Sequence, residues 1–208
     1  MRPRRSSRAT QATLHDAGDE SWLGHASFHL GVIAWARGDD ARARILLRDA
    51  VERFDRSGAQ ADAIDPVRYL GLIACAAGEF DEAAMWFRDE LTRLRQQDNR
   101  AALAVRLADV ATLATAREVW QPAVRLFAKA EALLTTEAAA FSLPARDHYE
   151  QAYARARQAL DDAASQAAAI AGPALTVEQA LAAATAVLAV GRNVGANAVP
   201  VQEARWTN

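Results

Sequence analysis

Leu30-Gly31-Val32-Ile33-Ala34-Trp35-Ala36-Arg37-Gly38-Asp39-Asp40 is answered forty residues on by Leu70-Gly71-Leu72-Ile73-Ala74-Cys75-Ala76-Ala77-Gly78-Glu79-Phe80. After forty more comes Val110-Ala111-Thr112-Leu113-Ala114-Thr115-Ala116-Arg117-Glu118-Val119-Trp120. The register continues downstream, where Ala43, Ala83 and Ala123 align, as do Leu47, Phe87 and Phe127. Self-similarity at a fixed period is the signature of a stacked repeat, because one supersecondary unit cannot bury its apolar face alone.

Each copy reads as two helices around a tight turn. Leu70, Ile73 and Ala77 keep helical spacing until Gly78, and Phe80, Ala83, Ala84, Phe87, Leu91 and Leu94 resume it. Asp65 is placed to cap the first helix of the second copy, with Pro66 at its first turn. The small residues at 31, 71 and 111 allow two helices to approach while Leu47, Phe87 and Phe127 fill the space alongside. The expected fold is therefore all-α: about three helical hairpins over residues 19–136, stacked as an α-α superhelix.

Around this array the chain divides further. Arg2, Arg4, Arg5 and Arg8 sit with Ser6 and Ser7 and no apolar stretch follows, so residues 1–18 are expected to be a disordered basic tail and not a secretory signal. A fourth copy fails, since Glu150 and Gln151 stand where Leu and Gly belong. Ser142-Leu143-Pro144 restarts a helix with Tyr149, Tyr153, Ala156 and Leu160 on one face. Gly172-Pro173 reads as a connector with room for a side chain at 172, and Thr176 to Gln179 opens a last helix in capping-box fashion. Residues 142–190 are expected to cap the array, and 191–208 to form a flexible tail.

Composition narrows the function. The chain has 208 residues, 51% hydrophobic and 24% charged, with net charge -2, which gives no concentrated positive field for nucleic acid. No apolar run reaches the roughly 20 residues of a bilayer span, so a cytoplasmic protein is expected. Cys75, the single cysteine, allows no intrachain disulfide, and its apolar neighbours Ile73, Ala74 and Ala76 suit a buried thiol better than a nucleophile. His25 and His29 have the spacing of paired metal ligands, but Ala26 and Ser27 stand where a metalloprotease helix has its Glu. No metal, cofactor or catalytic set is assigned, and the chain is expected not to be an enzyme.

The columns resemble the tetratricopeptide consensus, although that family repeats every 34 residues and this chain every forty. The extra length fits a longer second helix and a loose connector at 57–62. Four stretches go further: 30–39, Arg-Leu-Phe-Ala-Lys-Ala-Glu-Ala-Leu at 125–133, Arg-Asp-His-Tyr-Glu-Gln-Ala at 146–152, and Ala-Leu-Thr-Val-Glu-Gln-Ala-Leu at 174–181. In this order they resemble the repeat region of LuxR-type transcriptional regulators and related bacterial signalling ATPases. That resemblance implies a regulatory module sensing a protein, a peptide or a small effector. The phosphate loop and the helix-turn-helix of those proteins have no counterpart here, so the chain is expected to represent the sensor part alone, without ATPase activity or direct DNA binding.

In tetratricopeptide arrays the first helix of each pair lines the concave surface. By register that face comprises His25, Phe28, Val32 and Trp35, then Arg68, Leu72 and Cys75, then Thr112 and Thr115. An aromatic and aliphatic strip with one arginine and two hydroxyls suits a peptide or a small amphipathic ligand. Periodicity alone fits a groove, a buried core, or the contact face of a self-associating homodimeric scaffold.

Overall fold

The computed structural model describes residues 5–94, 99–137 and 143–190. Among them are nine α-helices and no strand: α1 (Arg5–Ala36), α2 (Asp40–Ser57), α3 (Ile64–Ala76), α4 (Phe80–Leu94), α5 (Arg100–Ala116), α6 (Trp120–Thr136), α7 (Leu143–Gln158), α8 (Asp162–Ala174) and α9 (Val177–Ala189). The expected tail at 191–208 lies outside the described residues.

The forty-residue period reappears in backbone geometry. The helices α1, α3 and α5 each end with the same pair of turn hydrogen bonds. Gly38, Gly78 and Glu118 donate to Trp35, Cys75 and Thr115, while Asp39, Glu79 and Val119 donate to Ala34, Ala74 and Ala114. This satisfies the orphan carbonyls of a helix end and requires a left-handed residue at its centre. Gly38 and Gly78 have φ of 76° and 75°, and Glu118 adopts φ 62° without glycine's freedom.

The turns fold each second helix back on the first. Gly31 faces Leu47 and, seven residues earlier, Gly24 faces Phe54, seven residues later, so α1 and α2 run antiparallel. In the second pair a Cβ at Gly71 would lie 2.3 Å from the Phe87 ring, so only glycine allows this approach. Neighbouring pairs are joined on the surface: Arg44 and Arg48 of α2 bind Glu82 of α4, and Arg93 of α4 binds Asp55 of α2. The principal core gathers Leu72, Phe87, Leu107, Leu113 and Phe127 with Tyr149, Ala168 and Val187 from the last three helices.

Three local expectations are corrected. The helix α1 begins at Arg5, so residues 5–18 are helical and not a disordered tail; between Pro3 and Gly18 no residue breaks a helix, and Ala9, Ala12, Leu14 and Ala17 favour one. Asp65 is not a cap, since α3 starts at Ile64 after Ala63, and Asp65 instead faces Arg68 and Arg106. Gly172 is not in a connector. It lies inside α8, where an added Cβ would sit 2.5 Å from the Arg125 carbonyl oxygen and 2.7 Å from Ala128 Cβ of α6. Pro173 follows in the last turn of α8, and Leu175 then leaves the helix.

The last three helices spread over the third pair. Thr176 and Gln179 form the capping box of α9. The carbonyls at the end of α9 are held by arginines from the repeats: Arg88 donates to Leu188 O at 2.9 Å and Arg117 to Val187 O at 3.1 Å. No helix among the described residues is long and apolar enough to cross a membrane.

Two predictions follow the backbone. Gly71→Ala and Gly172→Ala should each lower stability by about 1–3 kcal/mol, despite alanine's better helix propensity, because both added methyls overpack a helix contact. Gly172→Ala should cost at least as much, since its obstacle is main chain and not a ring that can slide. Thermal melts of the two proteins decide this, and a Gly172→Ala protein that melts with the parent would remove α8 from α6. Glu118→Gly should stabilise by about 0.5–1 kcal/mol, through relief of the left-handed strain less glycine's extra entropy when unfolded. Urea unfolding would read this as a raised midpoint.

Candidate functional site

The strip expected to line a groove is divided by the structure. Arg68 and Leu72 and Cys75 of α3, and Thr112 and Thr115 of α5, are all buried. They do not line an open surface: Leu72 and Cys75 are buried in the principal core with residues of α4 and α5, and α5 is covered by α7. This helix lies against α5, where Tyr149 reaches Asp109 and Thr115 Oγ faces the Ala152 carbonyl oxygen at 3.5 Å. Thr112 and Thr115 also turn their hydroxyls inward to Ala108 O and Ala111 O. Burial pushes the Cys75 thiol up to about 12, so it is held as the neutral thiol at physiological pH.

The α1 part of the strip is only half-covered. Phe28 and Trp35 pack around Tyr69 of α3, with ring centroids 5.9 and 5.1 Å away, and Val32 lies beside them. His25 stands edge-on to Phe54 at 4.8 Å, with Nε2 3.6 Å from Asp62. His29 packs beside Phe28. Among the described residues no group of three or more His, Cys, Asp or Glu side chains could hold a metal ion.

Where α3, α4, α5 and α7 meet, the structure builds a buried polar cluster of which sequence reading found only Arg68. Its further members are Glu90, Arg106, Asp109 and Tyr149. Arg106 Nε lies 2.7 Å from Glu90 Oε1, and Arg68 Nε lies 3.5 Å from Asp109 Oδ2. Tyr149 donates its hydroxyl to Asp109 Oδ1 at 2.5 Å. Asp65, at the protein surface, lies 3.3 Å from Arg106 and 3.8 Å from Arg68. Both Glu90 oxygens, Asp109 Oδ2, Arg68 Nε and Arg106 Nε lack an aligned hydrogen bond, so charge proximity holds the cluster more than directional bonding does.

Burial dominates the electrostatics. It raises Glu90 well above the ordinary carboxylate range; Arg106 and Arg68 oppose this while Asp109 adds to it. Asp109 is raised for the same reason, against Arg68, Arg106 and the Tyr149 hydroxyl. Burial beside Asp109 likewise keeps Tyr149 protonated. The sequence hides this cluster because Arg106 and Asp109 fall among apolar neighbours, while Glu90 falls among charged ones in Arg88-Asp89-Glu90. The available signal was charged residues within the apolar spacing of α4 and α5.

Tyr149 has a second neighbourhood, on the face of α7 that it shares with Arg146, Glu150 and Tyr153. Between α6 and α7 lies a cleft of about 360 Å³, walled by Phe127, Tyr149, Tyr153 and Leu134 and edged by Glu131, Arg146 and Glu150. The Phe127 and Tyr153 rings lie 5.2 Å apart, and Arg146 donates to Glu150 at 2.8 Å. Burial raises the Glu131 carboxyl; Arg157 opposes this, and the like charge of Glu150 reinforces it. The cleft therefore pairs an aromatic wall with an acidic rim.

Comparisons of the chain with protein-family models, with curated proteins and with solved structures find no match.

The buried cluster yields a pH prediction. Burial in the folded protein raises Glu90, so it keeps its proton to higher pH there than in the unfolded chain, where a glutamate releases it at about pH 4.3. A carboxyl whose folded pKa is raised contributes stability that is present below the unfolded pKa and is lost as pH rises toward the folded one. Glu90→Gln keeps a neutral hydrogen-bonding group, so it should gain on the parent as pH rises above about 4.3, by at most about 1.4 kcal/mol per unit. Urea unfolding across that range measures it, and a parent that gains on the variant instead would mean that Arg106 holds Glu90 charged.

Proposed function

We propose that this chain is a non-catalytic, effector-sensing helical-repeat module that works in the cytoplasm, and that its effector site is the cleft between α6 and α7. On this reading the three antiparallel pairs form a tetratricopeptide-like α-α superhelix. The role is that of the repeat region in LuxR-type regulators and related bacterial signalling ATPases.

One observation carries the proposal: Tyr149 belongs to two places at once. Tyr149 lines the cleft while only 2% exposed, and the hydroxyl of its ring holds Asp109 in the cluster shared by α3, α4, α5 and α7. A molecule lodged against this ring touches a residue on which the packing between pairs depends, and a sensor needs such a link. The resemblance agrees in place. Phe127 and Glu131 fall in the stretch 125–133, and Arg146, Tyr149 and Glu150 in 146–152, so two separated stretches converge on the cleft.

The chemistry of the cleft selects its occupant. Two carboxylates face one arginine, and Phe127 and Tyr153 offer aromatic faces beside them. This favours a small organic cation with an apolar body, whose ammonium rests on Glu131 while its body lies on the rings. Thr135, the hydroxyl at the rim, is engaged with the Glu131 main-chain carbonyl at 2.9 Å, which suits a binding role over a nucleophilic one.

The test uses 2-phenylethylammonium as the probe and 3-phenylpropionate as its anionic counterpart. The ammonium should raise the melting temperature saturably in the millimolar range, the carboxylate should not, and Glu131→Gln should abolish the shift. Binding requires the charged carboxylate, and burial raises Glu131, so affinity should still be strengthening as pH rises above the ordinary glutamate range and should level off once Glu131 is fully charged. Equal shifts by both probes, or no shift by the ammonium, would overturn the reading.

A further inference from the structure

The register exposes an asymmetry between the pairs. Columns Leu23/Ala63/Leu103, Leu30/Leu70/Val110 and Ile33/Ile73/Leu113 stand at equivalent register positions along α1, α3 and α5, with Ala63 immediately before α3. In the second copy Ala63, Leu70 and Ile73 are 0, 1 and 0% exposed, and in the third Leu103, Val110 and Leu113 are 7, 0 and 0% exposed. Ala63, Leu70 and Ile73 pack with buried residues of the first pair, and Leu103, Val110 and Leu113 lie in the principal core with residues of the second. In the first copy Leu23, Leu30 and Ile33 are 49, 49 and 47% exposed. The face that carries the contact between pairs elsewhere in the molecule is therefore open on α1.

The spacing on that face selects its occupant. Asp19, Leu23, Ala26, Leu30, Ile33 and Arg37 follow one another at intervals of four, three, four, three and four, and all six are exposed. That is an a/d seam of the kind that packs one helix along another. The series also reads the same in both directions about residue 28. A two-fold axis there would set Leu23 of one copy against Ile33 of the other and Ala26 against Leu30. Asp19 would meet Arg37 at both ends. Large faces small at the centre and opposite charges meet at the ends, which is the self-complementarity an isologous contact needs. Trp22, 76% exposed, flanks the seam where an interface aromatic would anchor its rim.

We propose that the open α1 face is a homodimer interface in which the α1 helices of two copies pack antiparallel about a two-fold axis at residue 28. This inference is independent of the effector cleft, which lies on α6 and α7 at the other end of the chain.

Sedimentation velocity on the full chain tests it, with melts of each variant under monomeric conditions to confirm folding. The parent should sediment as a dimer at tens of micromolar. Leu30→Asp places a carboxylate at the centre twice per interface and should weaken association by about a hundredfold or more, with the monomer's melt unchanged. Asp19→Arg and Arg37→Asp each set like charges against each other, and each should weaken the dimer. The double variant D19R/R37D restores opposite signs and should restore it, an outcome a parallel pairing would not give. A parent that stays monomeric at about 200 μM leaves the face to another protein and overturns the proposal. So does a dimer indifferent to Leu30→Asp, or a double variant no better than either single one.

Discussion

Everything in this molecule is arranged around a close approach of two helices, at a place where one supplies no side chain and the other a large one. Gly71 against Phe87 is its tightest form, and Gly31 against Leu47 repeats it in the first pair. The contact fixes three things together. It sets how near the paired helices lie, it fixes their antiparallel register, and it leaves the remaining faces of each pair to be covered by the next. Because interiors pack as densely as organic crystals, a pair cannot open to admit a side chain without losing those neighbours. The turn before each second helix serves the same end. Identical hydrogen bonds at Gly38, Gly78 and Glu118 return the chain at one angle each time, so the contact recurs after forty residues.

A stack built this way has faces to close, and the chain closes one with its own last helices. The consequence is an uncommon core, in which Arg68, Glu90, Arg106, Asp109 and Tyr149 are buried together. Such groups are costly to desolvate, and an apolar set of similar volume would often be at least as stable. What they add is direction. Tyr149 can satisfy Asp109 from one position of α7 only, and Arg106 bridges a buried carboxylate on α4 and a surface one on α3. The cluster thereby ties four helices to a common arrangement, as a polar residue in an otherwise apolar seam can fix register.

How much of this was legible depends on the range of the interaction. The all-helical class, the pairs and the turns were legible because they rest on contacts within forty residues, and the period writes those contacts out three times. The small-to-large columns even located Gly71 before its contact was seen. Longer-range features were not legible. Nothing in the spacing of Tyr149 says that α7 returns to α5, so Arg68, Leu72, Cys75, Thr112 and Thr115 could not be told from a groove lining. Gly172 misled for a related reason. Glycine before proline commonly marks a break, but here the glycine answers the main chain of α6, and the helix ends only after Pro173. Glu118 shows the converse, a left-handed position that the register identifies although the residue type does not.

Closing the expected groove relocates where this protein can meet other molecules. A repeat array has an inner face and two ends, and binding is usually sought on the inner face. Here α7 packs on α5 where the groove was expected, so a ligand there would have to displace Tyr149 from Asp109 and leave a buried carboxylate without its donor. The cost of such an orphan is typically about 1–3 kcal/mol or more, against which a modest ligand gains little. The open surfaces lie elsewhere and differ in kind. One is an aromatic and acidic cleft between α6 and α7, and the other a flat apolar seam on α1. A cleft suits a small molecule it can enclose, whereas a flat seam suits another helix. The same helix-packing logic that removed the groove thus separates the two surfaces along the chain, where each can be altered without touching the other.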